Sequence, residues 1–272
     1  MNVLRFRTEL VVSWVLILTL SQYAKGQQSA PVTMAKLGAY TTDQVVDNLI
    51  QMNLHRLQAL HSYQGTRTYR VEYHGFGGSR NAEMAVRVNY TSPSTKEFTV
   101  VSSSGSKLII DKVFKKLLEA EKEALDTEIQ RRSALNRDNY DFESAGVEET
   151  ISGPMYVLIV EPKTKDKYLY RGRIWVNAQD FAVARLVAEP AKNPSFWTKK
   201  SEIEQVYMKV NDFWLPARNH SLSSIRLGGR ADLTIEYHDY EITGAGPVAH
   251  LPRSESAPSA SAGGAHRPGN NR

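Results

Sequence analysis

The most constraining feature of this chain is its run of period-two alternation broken only by short turns. "TRTYRVEYHGF" (Thr66–Phe76) sets Tyr69, Val71 and Tyr73 against Arg70, Glu72 and His74. After the turn "GGSR", "NAEMAVRVNYTS" sets Met84, Val86, Val88 and Tyr90 against Glu83, Arg87 and Asn89, and "KEFTVVSSSGS" adds Phe98 and Val100. Parallel neighbours need a crossover of a dozen or more residues, so these connections allow only an antiparallel meander.

Strand patterns resume after Asn139-Tyr140-Asp141-Phe142. "YVLIVEP" (Tyr156–Pro162) is apolar on both faces and reads as a central, covered strand. "DKYLYRGRIWV" and "FAVARLVAEP" form a hairpin through "NAQD", and "EIEQVYMKV" joins "FWLPARNHSL" through Asn211-Asp212. "SIRLGGRADLTIEYHDYEI" holds a Gly228-Gly229 turn and a last long strand. Nine or ten strands are expected. Two helical stretches interrupt them. One starts at Thr42-Asp43 and carries Val45, Val46, Leu49, Ile50, Leu57 and Leu60 at helical spacing through "LHSY". The other runs from Leu108 to Leu135 with Ile110, Val113, Phe114, Leu117, Leu118, Leu125 and Ile129 as its stripe. Its length and amphipathicity suit a lid or brace laid across a sheet. Helices inserted into an all-antiparallel order make the fold class α+β.

The two ends differ from this middle. "MNVLRFRTELVVSWVLILTLSQYAKG" has Arg5 and Arg7, an apolar run of about a dozen residues, and Ala24-Lys25-Gly26, the order of a secretory signal peptide over residues 1–26. Residues 27–40 read as a linker, 41–244 as the folded domain, and 245–272 as a disordered Gly/Ala/Ser/Pro tail. Cleavage after Gly26 would lower the formal charge from +5 to +3, because three basic groups and one acidic group leave with the leader. There is no cysteine, which excludes disulfides, thiol nucleophiles, Cys-ligated metals and a lipidated N-terminal cysteine. An exported domain of this size can bury enough surface without disulfides.

Chemistry is sparse. His55 and His61 stand six apart on one helix, whereas a shared metal wants i, i+4. "EYHDY" puts Glu236 and His238 on one strand face and Asp239 on the other, and His220 lies in another strand. An enzyme would need one of these histidines beside a carboxylate in a cleft. No nucleophile elbow, phosphate loop, zinc-helix motif or dinucleotide fingerprint occurs, and "GFGG" is a hairpin turn. Basic residues interleave with acids, so no nucleic-acid partner is expected. Neither cofactor, metal nor catalytic residue is assigned.

"GRIWVNAQDFAVARL" (Gly172–Leu186), "YMKVNDFWLPARNHSL" (Tyr207–Leu222) and "YHDYEI" (Tyr237–Ile242), in that order, resemble recurring segments of the outer-membrane lipoprotein-sorting proteins, the LolA/LolB/RseB-like superfamily. The resemblance spans Thr42 to Thr243. It implies a curved antiparallel sheet, an unclosed half-barrel, with helices packed on its concave face and an apolar space for acyl chains between them. It also implies an arginine on an early strand that holds a helical lid shut, and Arg70 and Arg87 stand on the early strands. The expected function is a periplasmic, non-enzymatic, monomeric binder of lipoprotein acyl chains or other lipid, with a role in outer-membrane lipoprotein sorting or transport. The alternative is a periplasmic sensor or scaffold whose sheet binds a protein partner, such as a membrane protein. Candidate lining residues are Met84, Val86, Val88, Phe98, Val100, Leu158, Val160, Ile174, Val206, Met208, Leu233 and Ile235.

Overall fold

The computed structural model describes residues 40–248 except 76, 194–197, 226 and 227. The expected signal peptide, most of the linker and most of the tail lie outside these residues. Helix α1 (Thr42–Ala59) leads into β1 (Leu60–Gly75), β2 (Gly78–Thr91) and β3 (Thr95–Gly105). A broken helical segment follows: α2 (Lys107–Ile109), a π-helical turn (Ile110–Phe114), α3 (Lys115–Glu123) and α4 (Thr127–Ser133). The chain then continues through β4 (Tyr140–Thr150), β5 (Gly153–Pro162), β6 (Tyr170–Asn177), β7 (Val183–Pro190), β8 (Thr198–Val210), β9 (Phe213–Ile225) and β10 (Gly229–Ala245).

All ten strands form one sheet in the order β3-β2-β1-β10-β9-β8-β7-β6-β5-β4. Every paired neighbour is antiparallel. β3 and β4 are the two free edges, so the sheet is an unclosed half-barrel. The order has a further consequence. The helical segment is the link from β3 to β4, and it therefore crosses from one edge of the sheet to the other.

Local chemistry sets the element ends. Thr41 caps α1 through a reciprocal box, its hydroxyl accepting from the Gln44 N–H while its own N–H donates to Gln44 Oε1. The helix stops at Ala59, short of the expected Tyr63. From Leu60 the backbone pairs with β10, and Tyr63 packs between Tyr90 and Tyr240, so the ladder wins over helical propensity. The second helical stretch breaks at Asp126, whose carboxylate accepts from the Glu128 and Ile129 N–H groups and starts α4 afresh. β5 is second from the edge instead of central. Both faces are nonetheless covered, Tyr156, Leu158 and Val160 inward and Met155 and Val157 outward against Trp175 and Ala184. Both expected domain limits move outward: Tyr40 packs edge-on against Tyr156 and Phe181, and Val248 is buried in the same core.

The core lies on the concave face, where Val45, Val46, Leu49 and Met52 of α1 and Ile109, Phe114 and Leu117 of the helical segment meet the inner side chains of the sheet. On the β6–β7 hairpin the strands approach closely at Gly172, opposite Ala188, with φ +155. A Cβ there would lie 2.2 Å from the Val187 carbonyl oxygen. Gly172→Ala is therefore expected to cost more than about 1 kcal/mol. In a domain of this size that lowers Tm by about 3 °C or more, as read by circular dichroism; an unchanged melt would contradict the close approach.

Candidate functional site

Eight of the twelve expected lining residues share one buried cluster with the helices: Met84, Val86, Val88, Leu158, Val160, Ile174, Leu233 and Ile235. Phe98 packs against it from the edge strand. The other three do not belong to the interior. Val100 is 49% exposed beside a bulge in which it and Val101 oppose Val86. Met208 is 42% exposed. Val206 pairs with Arg185 and Arg218 and so shares their outer face. The misreading has a physical source, because the inner face of β8 and β9 is largely polar. Ser201, Gln205, Asn219, Ser221 and Ser223 are all buried there. Ser201 and Ser223 share a hydrogen bond of 2.9 Å, and the Asn219 amide donates to Gln205 Oε1 at 2.9 Å.

One charged cluster interrupts the apolar concave face. Arg67 lies on β1 between Gly65 and Tyr69 and pairs across to Val86 and Tyr237. It is 4% exposed, and Glu121 of α3 is 6% exposed. Arg67 Nη1 donates to Glu121 Oε2, while Lys96 Nζ, from edge strand β3, donates to Glu121 Oε1 at 2.6 Å. The guanidinium lies 4.8 Å from the Tyr237 ring centroid and 5.8 Å from that of Phe98, and also reaches Tyr69 Oη at 3.4 Å. Burial alone would raise the Glu121 carboxyl, but Arg67 and then Lys96 outweigh it and hold it down at about 2. Burial works against Arg67 and Lys96 as well, yet Glu121 raises both. Burial pushes the Tyr69 phenol up to about 12.

Arg67 replaces Arg70 and Arg87 as the inward arginine. Arg70 is exposed on the outer face between Glu83 and Glu236, and Arg87 is exposed too. The sequence signal was an arginine in phase with Tyr69, Val71 and Tyr73. Glu121 carried the matching signal, falling four residues after Leu117 and three after Leu118 on the apolar stripe. The helical cover that bears Glu121 is thin. α3 buries Leu117, Ala120 and Glu121, and α4 buries nothing.

The histidines lie elsewhere. His220 Nε2 is 2.9 Å from Asp232 Oδ1, but the pair stands on the outer face, beside Glu204 and Thr234. His238 is exposed, and Glu236 beside it is engaged by Arg70. Among the described residues no group of three or more His, Asp or Glu is placed to hold a metal. None of the described helices is long and apolar enough to cross a membrane.

Comparison with known proteins follows the same outline. No family model and no curated protein matches the sequence. Solved structures do. The chain is similar to a DUF1329 family protein from Desulfovibrio piger (12% identity over 74% of this chain and 93% of that one, TM-score 0.38). It is also similar to an outer membrane lipoprotein-sorting protein domain from Vibrio parahaemolyticus (9%, 75% and 94%, 0.37). A LolA superfamily protein from Nitrosomonas europaea is a third (10%, 76% and 96%, 0.33). At these values the likeness assigns no activity, ligand or partner.

The cluster makes a pH-dependent contribution whose sign is fixed. The folded pKa of Glu121, about 2, lies below its ordinary 4.5, so the ionised carboxylate stabilises the fold above about pH 4.5. That contribution is lost as pH falls toward 2. Glu121→Gln is expected to cost about 3 kcal/mol at pH 7 in urea unfolding, leaving two buried cations without their anion. The variant should also lack the wild-type loss of stability between pH 4.5 and 2; parallel pH profiles for the two proteins would contradict this assignment.

Proposed function

We propose that this protein is a non-enzymatic periplasmic binder of lipid or lipoprotein acyl chains, which it takes up on the concave face after the helical cover lifts. The buried Arg67–Glu121–Lys96 cluster carries the reading. It fastens a thin cover over an apolar surface by charges, where apolar packing would hold the cover more simply. A buried ion pair gives little net stability relative to apolar contact. It penalises loss of one partner heavily, but lifting the cover returns all three groups to water together. Such a latch can be opened and closed.

The magnitudes suit exchange. About 15 chain methylenes hidden from water are worth roughly 12 kcal/mol. Lifting the cover exposes Ile109, Phe114 and Leu117, at about 1.5–3 kcal/mol each, and ordering the chain takes up more of the difference. The balance left is small enough for release. Export follows from the leader-like residues 1–26, and a role in outer-membrane lipoprotein sorting or transport is the family expectation attached to this fold.

The test is native mass spectrometry of the purified protein together with titration by cis-parinaric acid. Bound lipid or saturable fluorescence is expected, with Glu121→Gln raising the rate of uptake several-fold. A folded protein and a folded Glu121→Gln variant that both fail to bind would reject this reading. That result would favour the alternative of a scaffold whose sheet engages a protein partner, since the closed interior is already filled by α1, Phe114 and Leu117.

A further inference from the structure

Among the described residues two arginines are buried, Arg67 and Arg56, and the second lacks partners for two of its nitrogens. Arg67 has its carboxylate and its rings. Arg56, on α1, is 8% exposed. It continues the buried stripe Val45, Val46, Leu49 and Met52, so it points between the helix and the sheet. Its Nη2 donates to the Asp180 carbonyl oxygen and lies 3.6 Å from Asp180 Oδ1. Its Nε and Nη1 are buried with no partner. Buried donors left unpaired cost about 1–3 kcal/mol each, more on a charged group, so two on one side chain call for an acceptor.

The surroundings indicate what kind. Near the start of α1 Arg137 holds Asp43 and Asp47, and near its other end Arg56 reaches Asp180 in the turn between β6 and β7. There a cavity of about 390 Å³ is lined by Asp180, Lys209, Trp214, Asn177, Tyr207 and Met208, among others. Asp180 stands between Arg56 and this cavity. Its Oδ2 accepts from Lys209 Nζ at 2.7 Å and Trp214 Nε1 at 2.9 Å. Asp180 is therefore shared, bound by Arg56 on the side of the apolar interior and by Lys209 on the side of the cavity. Burial pulls the Arg56 pKa down despite Asp180 and the more distant Asp212, so its charge is under-compensated where it lies.

We propose that Arg56 is the head-group residue of the bound amphiphile, taking the anionic carboxylate or phosphate oxygens of a lipid whose chains lie under the helical cover. This rests on the lipid-binding reading above and narrows it to anionic lipids. The cavity beyond Asp180 is lined by Lys209 and Trp214, both bonded to the Asp180 carboxylate, and not by Arg56, so the head-group oxygens are assigned to the Arg56 side of Asp180.

The experiment compares three probes on the wild type, Arg56→Gln and Arg56→Lys: cis-parinaric acid, its methyl ester, and inorganic phosphate. Arg56→Gln is expected to weaken the acid tenfold or more and the neutral ester by less than twofold, with Arg56→Lys intermediate. A thermal melt checks that each variant folds, and the unchanged ester affinity is the internal control. Equal losses on acid and ester, or no loss on either, would overturn the assignment while leaving the lipid reading intact. Failure of the wild type to bind either lipid probe would overturn both. Inorganic phosphate binding as tightly as the acid, and lost in Arg56→Gln, would make this a site for the free anion and overturn the head-group role.

Discussion

One acid held between two cations fastens the helical segment of this molecule to its sheet. Glu121 belongs to the short α3, Arg67 to the third strand from one edge of the sheet, and Lys96 to that free edge. The arrangement has one more positive than negative charge, and the faces of Tyr237 and Phe98 take up part of the excess. An apolar trio of the same volume would hold the helix at least as well. What charges add is a cover with a second comfortable state, since carboxylate, guanidinium and ammonium are all well hydrated once water reaches them. Closure is therefore conditional on the three groups meeting in register.

Topology makes that condition matter. The chain between β3 and β4 must cross from edge to edge, and it does so in pieces, with a π-helical turn at Ile110–Phe114 and a second break before Asp126. π-helical turns and breaks of this kind are places where a helix changes direction at low cost. The cover is pinned at Glu121 and packed at Phe114 and Leu117, while α4 rests on the surface. Beyond it Arg137 ties the loop back to Asp43 and Asp47 on α1 through exposed pairs, each worth under about 1 kcal/mol. With so few buried residues the segment belongs to the low-stability end of the fold.

Much of this was legible in the sequence. The alternation at Tyr69–Tyr73 and Met84–Tyr90, with turns too short for crossovers, already required an antiparallel sheet, and the broken stripe from Ile110 to Ile129 required a helix against it. The buried charges were also visible, as residues in the wrong phase: Arg67 among the inward positions of β1, Glu121 on the apolar stripe. Arg70 and Arg87 also stand on the early strands, but their period puts them on the outer face. What period could not reveal was the inner face of β8 and β9. There Ser201, Gln205, Asn219, Ser221 and Ser223 point inward, and the apolar Val206 points out, because cross-strand hydrogen bonds pair Ser201 with Ser223 and Asn219 with Gln205. Composition along one strand carries no record of a partner on the next.

That polar wall also bears on what the interior can hold. Ser201 with Ser223 and Asn219 with Gln205 bond to one another, so these four side chains make part of the concave face neutral and self-contained. β1, β2, β5 and β6 present an apolar surface, and Arg56 presents two donors, Nε and Nη1, that have no acceptor among the described residues. A purely apolar ligand would leave those donors orphaned, and a purely polar one would leave the apolar surface wet once the cover lifted. On the reading proposed above, an amphiphile with its chains under Phe114 and Leu117 and its anionic oxygens at Arg56 would meet both demands at once.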